Sequence, residues 1–373
     1  MRIKFIIGEA GTAKTSTLVR ITQNLKYASA GSLRPSYVCL AFTHSACNNM
    51  IEKGVDCKKV KTLHSFFKIM PDTTFINIPK HIPSYIIIDE FSLIPVDLLE
   101  NMFDKLKDFD VCFVLAGDLL QLPPVQDYPN IRFENINLEG ECSLADAKAI
   151  YHTLGRTILN SPYYIKADKM LLTKNYRCGD SVMCILNDIL ENGVINEVKT
   201  TTVGMPLDTV FIASTYKNLK KIYYHENIDK RLKTRIGFIE YDINKTYILT
   251  KNIDENFHNG DDIKIQFDND ILTIIKLYES TVIKSELKRN ESGYYDILPC
   301  DFLTIHYAQG RGFKNVCLCV DDMFEIGMLY TGITRAKENI YFITLKNNET
   351  VDVSDLTRPF NLMKFNVYKN GDS

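Results

Sequence analysis

The sequence predicts an α/β protein of two parallel-sheet domains, the second carrying a small β insertion, and three observations carry that expectation. Strand-sized apolar runs at residues 3–7, 37–42, 85–88 and 111–115 alternate with helix-length amphipathic segments, the rhythm of parallel strands joined by crossover helices. A second alternation follows, with apolar runs at 209–212, 246–249, 315–320 and 340–345. Between them, residues 257–298 change to a period of two with turn signals at Asn259-Gly260 and Ser292-Gly293, the pattern of an antiparallel insertion. At 373 residues the chain is long enough for two full cores. The boundary is expected near residue 165, giving domains 1–165 and 166–373, with the Asn-, Glu- and Pro-rich segment 126–165 read as a loop-and-helix connection.

Composition narrows the class. Charged residues at 24% and apolar residues at 45% exclude a disordered or fibrous chain. With a formal net charge of −2, a polyanion would have to bind a local basic groove, since the global field gives no help. Several of the ten cysteines (Cys39, Cys112, Cys317, Cys319) lie inside apolar runs, as buried thiols of a reducing compartment do, and no pattern of a disulfide framework or zinc site is present. Apolar stretches are strand-sized and the sequence opens on a strand rather than a cleavable leader, so an intracellular protein of the cytoplasm or nucleus, away from membranes, is expected.

In a parallel sheet, ligands collect at the carboxyl ends of the strands. The first run leads into "GEAGTAKT", where Gly8, Glu9, Ala10, Gly11, Thr12 and Ala13 form a loop ahead of Lys14 and Thr15. Backbone N–H groups of such a loop, with the helix that follows, cradle phosphates; Lys14 would reach the β and γ phosphates and the Thr15 hydroxyl would ligate Mg²⁺. Ala13 stands where the pattern wants a second glycine, and it is expected in an ordinary helical conformation. The third run ends in Asp89-Glu90, adjacent carboxylates that are costly at the end of a buried strand unless a cation binds there. Asp89 fits as a Mg²⁺ ligand and Glu90 as the base that activates the attacking water. After the fourth run, Gln121 can bond both a γ phosphate and a water. Arg177 and Arg335, in the other half, are candidates to stabilise the transition-state charge, an effect of about 10³–10⁵ where arginine fingers operate. These residues describe a Mg²⁺-dependent NTPase.

Taken in order, the stretches "GEAGTAKT", "AFTHSA", "TLHSFF", "IIIDEFS", "LAGDLLQLPP", "NYR", "TIHYAQGRGF" and "LYTGITRAK" resemble the motifs of superfamily 1 helicases. Within them the likeness is to the RecD and Dda-like group that moves 5′ to 3′ on single strands, and "HNGDDIKI" is similar to the segment opening that group's small SH3-like insertion. The resemblance implies two RecA-like domains, ATP and Mg²⁺ as cofactors, and single-stranded DNA or RNA as partner, in a DNA replication or repair setting with replication-complex proteins. By resemblance, Tyr176 lies near the nucleotide base, while Gln309 and Gly310 link the γ-phosphate state to the strand. Phe42, Thr43, Thr62, His64, Thr304 and His306 match positions facing the nucleic acid. An RNA helicase of a virus replication complex and a nucleotide-switched binding factor are the rival readings, and the Ile-, Asn- and Lys-rich composition points toward a viral or phage source.

Departures from the family pattern are specific. The sequence starts two residues before its first strand, without the upstream Gln-bearing segment that reads adenine, which leaves ATP against other NTPs open. Gly312 replaces a frequent Glu and Tyr307 the usual Lys, and in a chain without Trp the bases are left to stack on Phe42, Phe66 or Tyr307. The span 69–84, where relatives insert a strand-separating hairpin, is short and holds three prolines, so translocation is better supported than unwinding.

Overall fold

The computed structural model describes residues 1–27, 35–69, 76–122, 158–192, 205–223, 232–239, 241–254, 256–269, 271–278, 281–321 and 326–343. Most of the 126–165 connection, Pro123 and Pro124 of "LAGDLLQLPP", and residues 70–75 of the hairpin span lie outside these residues. The described residues fall into two compact units, one within Met1–Phe42 and Asn49–Lys174, the other within Thr43–Asn48 and 175–343.

The first unit contains β1 (Arg2–Gly8), α1 (Lys14–Tyr27), β2 (Tyr37–Ala41), α2 (His44–Glu52, whose first turn groups with the second unit), β3 (Val60–Thr62) and α3 (Leu63–Phe67). It continues with β4 (Tyr85–Asp89), α4 (Val96–Leu106), β5 (Cys112–Gly117), α5 (Pro162–Lys166) and β6 (Asp168–Leu172). Its six strands are all parallel, in the order β3-β2-β4-β5-β1-β6. Strands β2 and β4 are apolar along nearly their whole length because helices cover both faces of such a sheet. On α4, Leu98, Leu99, Met102, Phe103 and Leu106 recur at helical spacing and are buried. Phe5 of β1 packs edge-on against Phe91 and Tyr164, with ring centroids 5.1 and 4.9 Å away. The expected boundary at 165 falls too early: β6 pairs with β1, so the first unit runs through Lys174. The apolar part of β6 is only Met170, Leu171 and Leu172, a run too short to mark a strand by itself.

The second unit adds α6 (Asp180–Asn192), β7 (Thr209–Ala213), α7 (Tyr216–Ile222), the two-residue strands β8 (Lys233–Thr234) and β9 (Gly237–Phe238), β10 (Tyr247–Leu249), β11 (Asp262–Asp268), β12 (Ile271–Tyr278) and β13 (Thr281–Leu287). Then come β14 (Ile297–Pro299), β15 (Phe302–Thr304), α8 (Ile305–Ala308), β16 (Phe313–Cys319), α9 (Ile326–Ile333) and β17 (Ala336–Ile343). Strands β15-β7-β16-β17 form a parallel sheet, and β13-β12-β11-β10-β14 an antiparallel one. The apolar run 246–249, expected in the parallel sheet, belongs to the antiparallel one as β10, and β15 takes its place. In three wholly buried residues the side-chain period does not report which sheet they join. The antiparallel insertion therefore begins before residue 257. Among the described residues, no helix is long and apolar enough to cross a membrane.

Candidate functional site

The carboxyl ends of β4, β5 and β1, neighbours in the first sheet, bring the predicted phosphate and metal residues together. Gly8 ends β1 where a side chain has no room: a Cβ there would lie 2.4 Å from Thr12 Oγ1 and 2.8 Å from the Leu172 carbonyl oxygen. Thr12 Oγ1 donates to the Glu9 carbonyl at 2.8 Å, and Ala10 is buried beside it. Gly11 takes φ 83°, and Ala13 takes φ 63°. The expectation of a helical Ala13 is thus overturned: the loop needs a left-handed residue just before α1, and alanine there costs about 1 kcal/mol against glycine. The Ala13 carbonyl nevertheless opens the helix, accepting from Thr17 N–H at 2.9 Å and Thr17 Oγ1 at 3.0 Å.

Lys14 Nζ curls back over this loop, donating to the carbonyls of Gly8 and Glu9, each at 2.8 Å, and stands 3.9 Å from the Asp118 carboxylate. Burial, and then the Asp118 charge, raise the Glu9 pKa against the pull of Lys14. Asp89, 1% exposed, accepts the Glu90 N–H at 3.1 Å. Burial first and the Glu90 charge second push Asp89 up to about 6, while a hydrogen bond from Thr15 and the charges of Lys53 and Lys14 pull it down. Glu90 itself adopts a left-handed φ of 52°, which turns the chain sharply after β4.

Sequence reading missed Asp118. Fully buried after β5, it accepts the Leu120 N–H at 3.0 Å and Gln121 Nε2 at 3.3 Å, so it orients the glutamine proposed as sensor and faces Lys14 as well. The acidic residue inside "AGDLLQ" was a visible signal, read only as part of a turn.

Three buried acceptors here, Asp89 Oδ2, Glu90 Oε2 and Gln121 Oε1, have no hydrogen-bond partner among the described residues. Leaving such atoms unpaired in a closed interior costs about 1–3 kcal/mol each. Carboxylate and hydroxyl oxygens beside a lysine and a backbone cradle are the donor set of a Mg²⁺–nucleotide site, and the residues present fit that group.

On the same sheet, β2 and β3 deliver the residues expected to face nucleic acid. Thr43 Oγ1 accepts the Ala46 N–H at 3.2 Å and Thr62 Oγ1 accepts the Ser65 N–H at 3.1 Å, each starting a helix. Phe42 and the half-buried His64 have ring centroids 5.1 Å apart, and burial lowers the His64 pKa. Phe66 packs edge-on against Phe67 at 4.8 Å. Next to Thr43, His44 stacks on His258 at 4.0 Å; burial first and the His258 charge second lower its pKa to about 4.

In the second unit, Thr304 is buried at the start of α8 without capping it, and His306 is exposed. Tyr307, suggested as a stacking ring, is half-buried and donates its hydroxyl to Asn259 Oδ1 at 2.8 Å. Tyr176 is 67% exposed. The neighbouring backbone is fixed by Asn175 Oδ1, which accepts from Arg177 N–H at 2.8 Å and Cys178 N–H at 3.0 Å. A Cβ at Gly312 would meet Lys337 Cε at 3.2 Å and Arg177 Cδ at 3.7 Å, so the departure from Glu leaves room for two cationic side chains. Arg335 is 1% exposed: Nε donates to the Thr331 carbonyl at 2.9 Å, Nη1 to that of Arg311 at 3.0 Å and Nη2 to Thr334 Oγ1 at 2.8 Å. Gly310 turns the chain at φ 80°, beside a buried Gln309 Nε2 that has no hydrogen-bond partner among the described residues.

A phosphate loop after β1, paired carboxylates after β4 of the same sheet, and a second parallel sheet define a P-loop nucleotide hydrolase with two RecA-like domains. Residues 1–127 match the family described as an AAA domain. The ATP-dependent DNA helicase Pif1 of Campylobacter jejuni is 24% identical over 358 residues, covering 81% of this chain and 75% of that protein. Among solved structures, the Pif1 helicase from Candida albicans superposes with a TM-score of 0.62 at 16% identity, over 99% of this chain and 95% of that one. The Bacteroides Pif1 helicase in complex with ADP-AlF3 and ssDNA gives a TM-score of 0.55 at 17% identity, over 94% of this chain and 89% of that one. In sequence and in fold the chain is thus similar to Pif1 helicases, in keeping with the resemblance of its motifs to superfamily 1.

Proposed function

We propose that the chain is an ATP-dependent helicase that moves 5′ to 3′ along single-stranded DNA. The observation that carries the reading is the convergence of Lys14, Thr15, Asp89, Glu90 and Gln121 at adjacent strand ends, with three buried acceptor atoms left unpaired. Lys14 would exchange its bonds to the Gly8 and Glu9 carbonyls for the β and γ phosphates. Glu90 takes the proton of the attacking water, and Gln121, oriented by Asp118, holds that water against the γ phosphate. Thr15 and Asp89 would hold Mg²⁺, which when bound neutralises phosphate charge. Arg177 and Arg335 stabilise the charge that develops on the transferred phosphoryl group.

Hydroxyls and imidazoles of Thr43, Thr62, His64, Thr304 and His306 grip the strand, with Phe42 as an apolar contact beside them. The similar Bacteroides protein holding a nucleotide analogue together with ssDNA supports that pairing of ligands. Opening a base-paired step costs about 1.4 kcal/mol of stacking, within reach of one nucleotide cycle. Strand displacement with 5′-tailed and 3′-tailed substrates of DNA and of RNA tests the proposal. ATP-driven displacement of the 5′-tailed DNA alone is expected; activity confined to RNA or to 3′ tails, or ATP turnover indifferent to added strand, would overturn it.

A further inference from the structure

The turn after α8 carries two of the carbonyls nearest Arg335. Gln309 N–H donates to the His306 carbonyl at 3.2 Å and Arg311 N–H to that of Ala308 at 3.1 Å, closing the turn around Gly310. The Ala308 and Arg311 carbonyls then face Arg335 Nη1 at 3.5 and 3.0 Å, and the Arg335 carbonyl accepts the Phe313 N–H at 2.7 Å. What holds this turn from outside is the side chain of Arg311. Its Nη1 donates to Asp262 Oδ1 at 2.7 Å and its Nη2 to the Gly260 carbonyl at 3.0 Å.

The surface that receives Arg311 is itself fixed. Gly260 N–H donates to the Leu249 carbonyl at 2.8 Å, Asp261 N–H to that of His258 at 3.1 Å, and Asp261 Oδ2 accepts His258 N–H at 2.7 Å and Lys276 Nζ at 2.6 Å. Tyr307, one turn earlier, adds a second tie to Asn259. The antiparallel sheet thus presents a rigid turn at 258–262, and Arg311 clamps the 308–311 turn onto it.

We infer that Arg311 is a positioning residue for Arg335: by fixing the 308–311 turn against the 258–262 turn, it sets where the Arg335 guanidinium lies. The inference rests on the proposed ATPase reading. A forked guanidinium that bonds a carboxylate and a carbonyl together fixes orientation as well as distance, which a lysine at the same place would do less well. If Arg335 contributes only as charge develops on the phosphoryl group, disturbing its support lowers kcat and leaves KM for ATP nearly unchanged.

The test compares strand-stimulated ATP hydrolysis by the full chain and its variants. Arg311→Ala is expected to lower kcat about tenfold with KM within about twofold, and Arg311→Lys to recover part of the loss. Asp262→Ala, at a half-exposed position, is expected to lose about threefold in kcat. The exchanged pair Arg311→Asp with Asp262→Arg should turn over faster than either single reversal, a non-additivity that ties both effects to their shared ion pair, while the loss in kcat at nearly constant KM separates positioning of Arg335 from a merely structural role. Should Arg311→Ala melt early, Asp262→Ala and Arg311→Lys decide alone. Unchanged kcat in folded Arg311→Ala, or in both of those variants, or strictly multiplied defects in the exchanged pair, would overturn the inference. A parent protein whose ATP turnover ignores added strand would instead defeat the functional reading on which it rests.

Discussion

The ends of β4 and β5 in the first unit and the end of α9 in the second both bury charged side chains, and they treat them in opposite ways. At the first, Asp89, Glu90 and Gln121 each keep a buried oxygen without a hydrogen-bond partner. At the second, Arg335 is as deeply buried but directs Nε, Nη1 and Nη2 to acceptors of its own unit. The first is complete only with something cationic and hydrogen-bonding added; the second is a finished packing arrangement. The difference separates residues that wait for a ligand from a residue that must trade existing bonds to act on one.

The largest effect expected from breaking this contrast is at Lys14. Lys14→Ala should lower strand-stimulated ATP turnover by about 10²–10³, because the charge aimed at the phosphates is lost while the loop carbonyls it covers can take water. Turnover above a tenth of the parent's would remove the phosphate role from this loop. Glu90→Gln keeps the volume and removes the base, so a loss of about 10²–10⁴ in kcat is expected, with nucleotide binding, followed by a fluorescent ATP analogue, retained. Loss of binding instead would make Glu90 a ligand-holding group rather than a base.

How much of this was legible in the sequence follows from the same contrast. Apolar runs ending in chemistry-bearing residues located β1, β2, β4 and β5 and the loops after them, since a strand buried on both faces has a strong local signature. β6 escapes notice because its apolar run is only three residues long, and β10 falls to the wrong sheet because three buried residues carry no information about their partners. Asp118 was passed over although adjacent to Gln121, because its part is played through a hydrogen bond and a distance to Lys14 that spacing does not reveal. A correspondence that spacing does not show is visible in the fold: "TLHSFF" and "TIHYAQ" each begin on the last residue, a threonine, of an edge strand of a parallel sheet, β3 and β15. Ala13 was read against the wrong rule, since its missing glycine suggested a helical residue where the loop needs a left-handed one.

A smaller effect distinguishes the two arginines. Arg335→Ala removes the hydrogen bonds to the Thr331 and Arg311 carbonyls and to Thr334 Oγ1, so a stability loss of about 1–3 kcal/mol should accompany any loss of turnover, seen as a lower urea midpoint. Arg177→Ala, at a half-buried side chain, should lower kcat without that shift. Equal midpoints for both variants would mean that the Arg335 network adds nothing to the resting structure.

The half-buried His44 shows a third treatment of a polar group, which is to stay neutral. With its pKa lowered from 6.5 to about 4 in the folded chain, the unfolded state binds more protons across that window, so stability falls as pH drops from 6.5 toward 4. His44→Phe should reduce the pH dependence of the urea midpoint between pH 7 and pH 5; an unaltered dependence would show that His44 titrates normally in the fold.

The smallest expected effect tests the backbone beneath the first site. Ala13 and Gly11 both adopt positive φ, at 63° and 83°, but only one of them is the residue that conformation favours. Ala13→Gly relieves the left-handed strain, and the extra freedom glycine gives the unfolded chain offsets part of that gain, so a net stabilisation below about 1 kcal/mol is expected. Gly11→Ala imposes the same strain without compensation beyond a less flexible unfolded chain, and should destabilise by roughly as much. Thermal melts of the two variants at one ionic strength read opposite signs if the loop geometry is as described. Destabilisation by Ala13→Gly would mean that residue 13 is helical in solution, and the Lys14 ammonium would then approach the phosphates from a different turn of the chain.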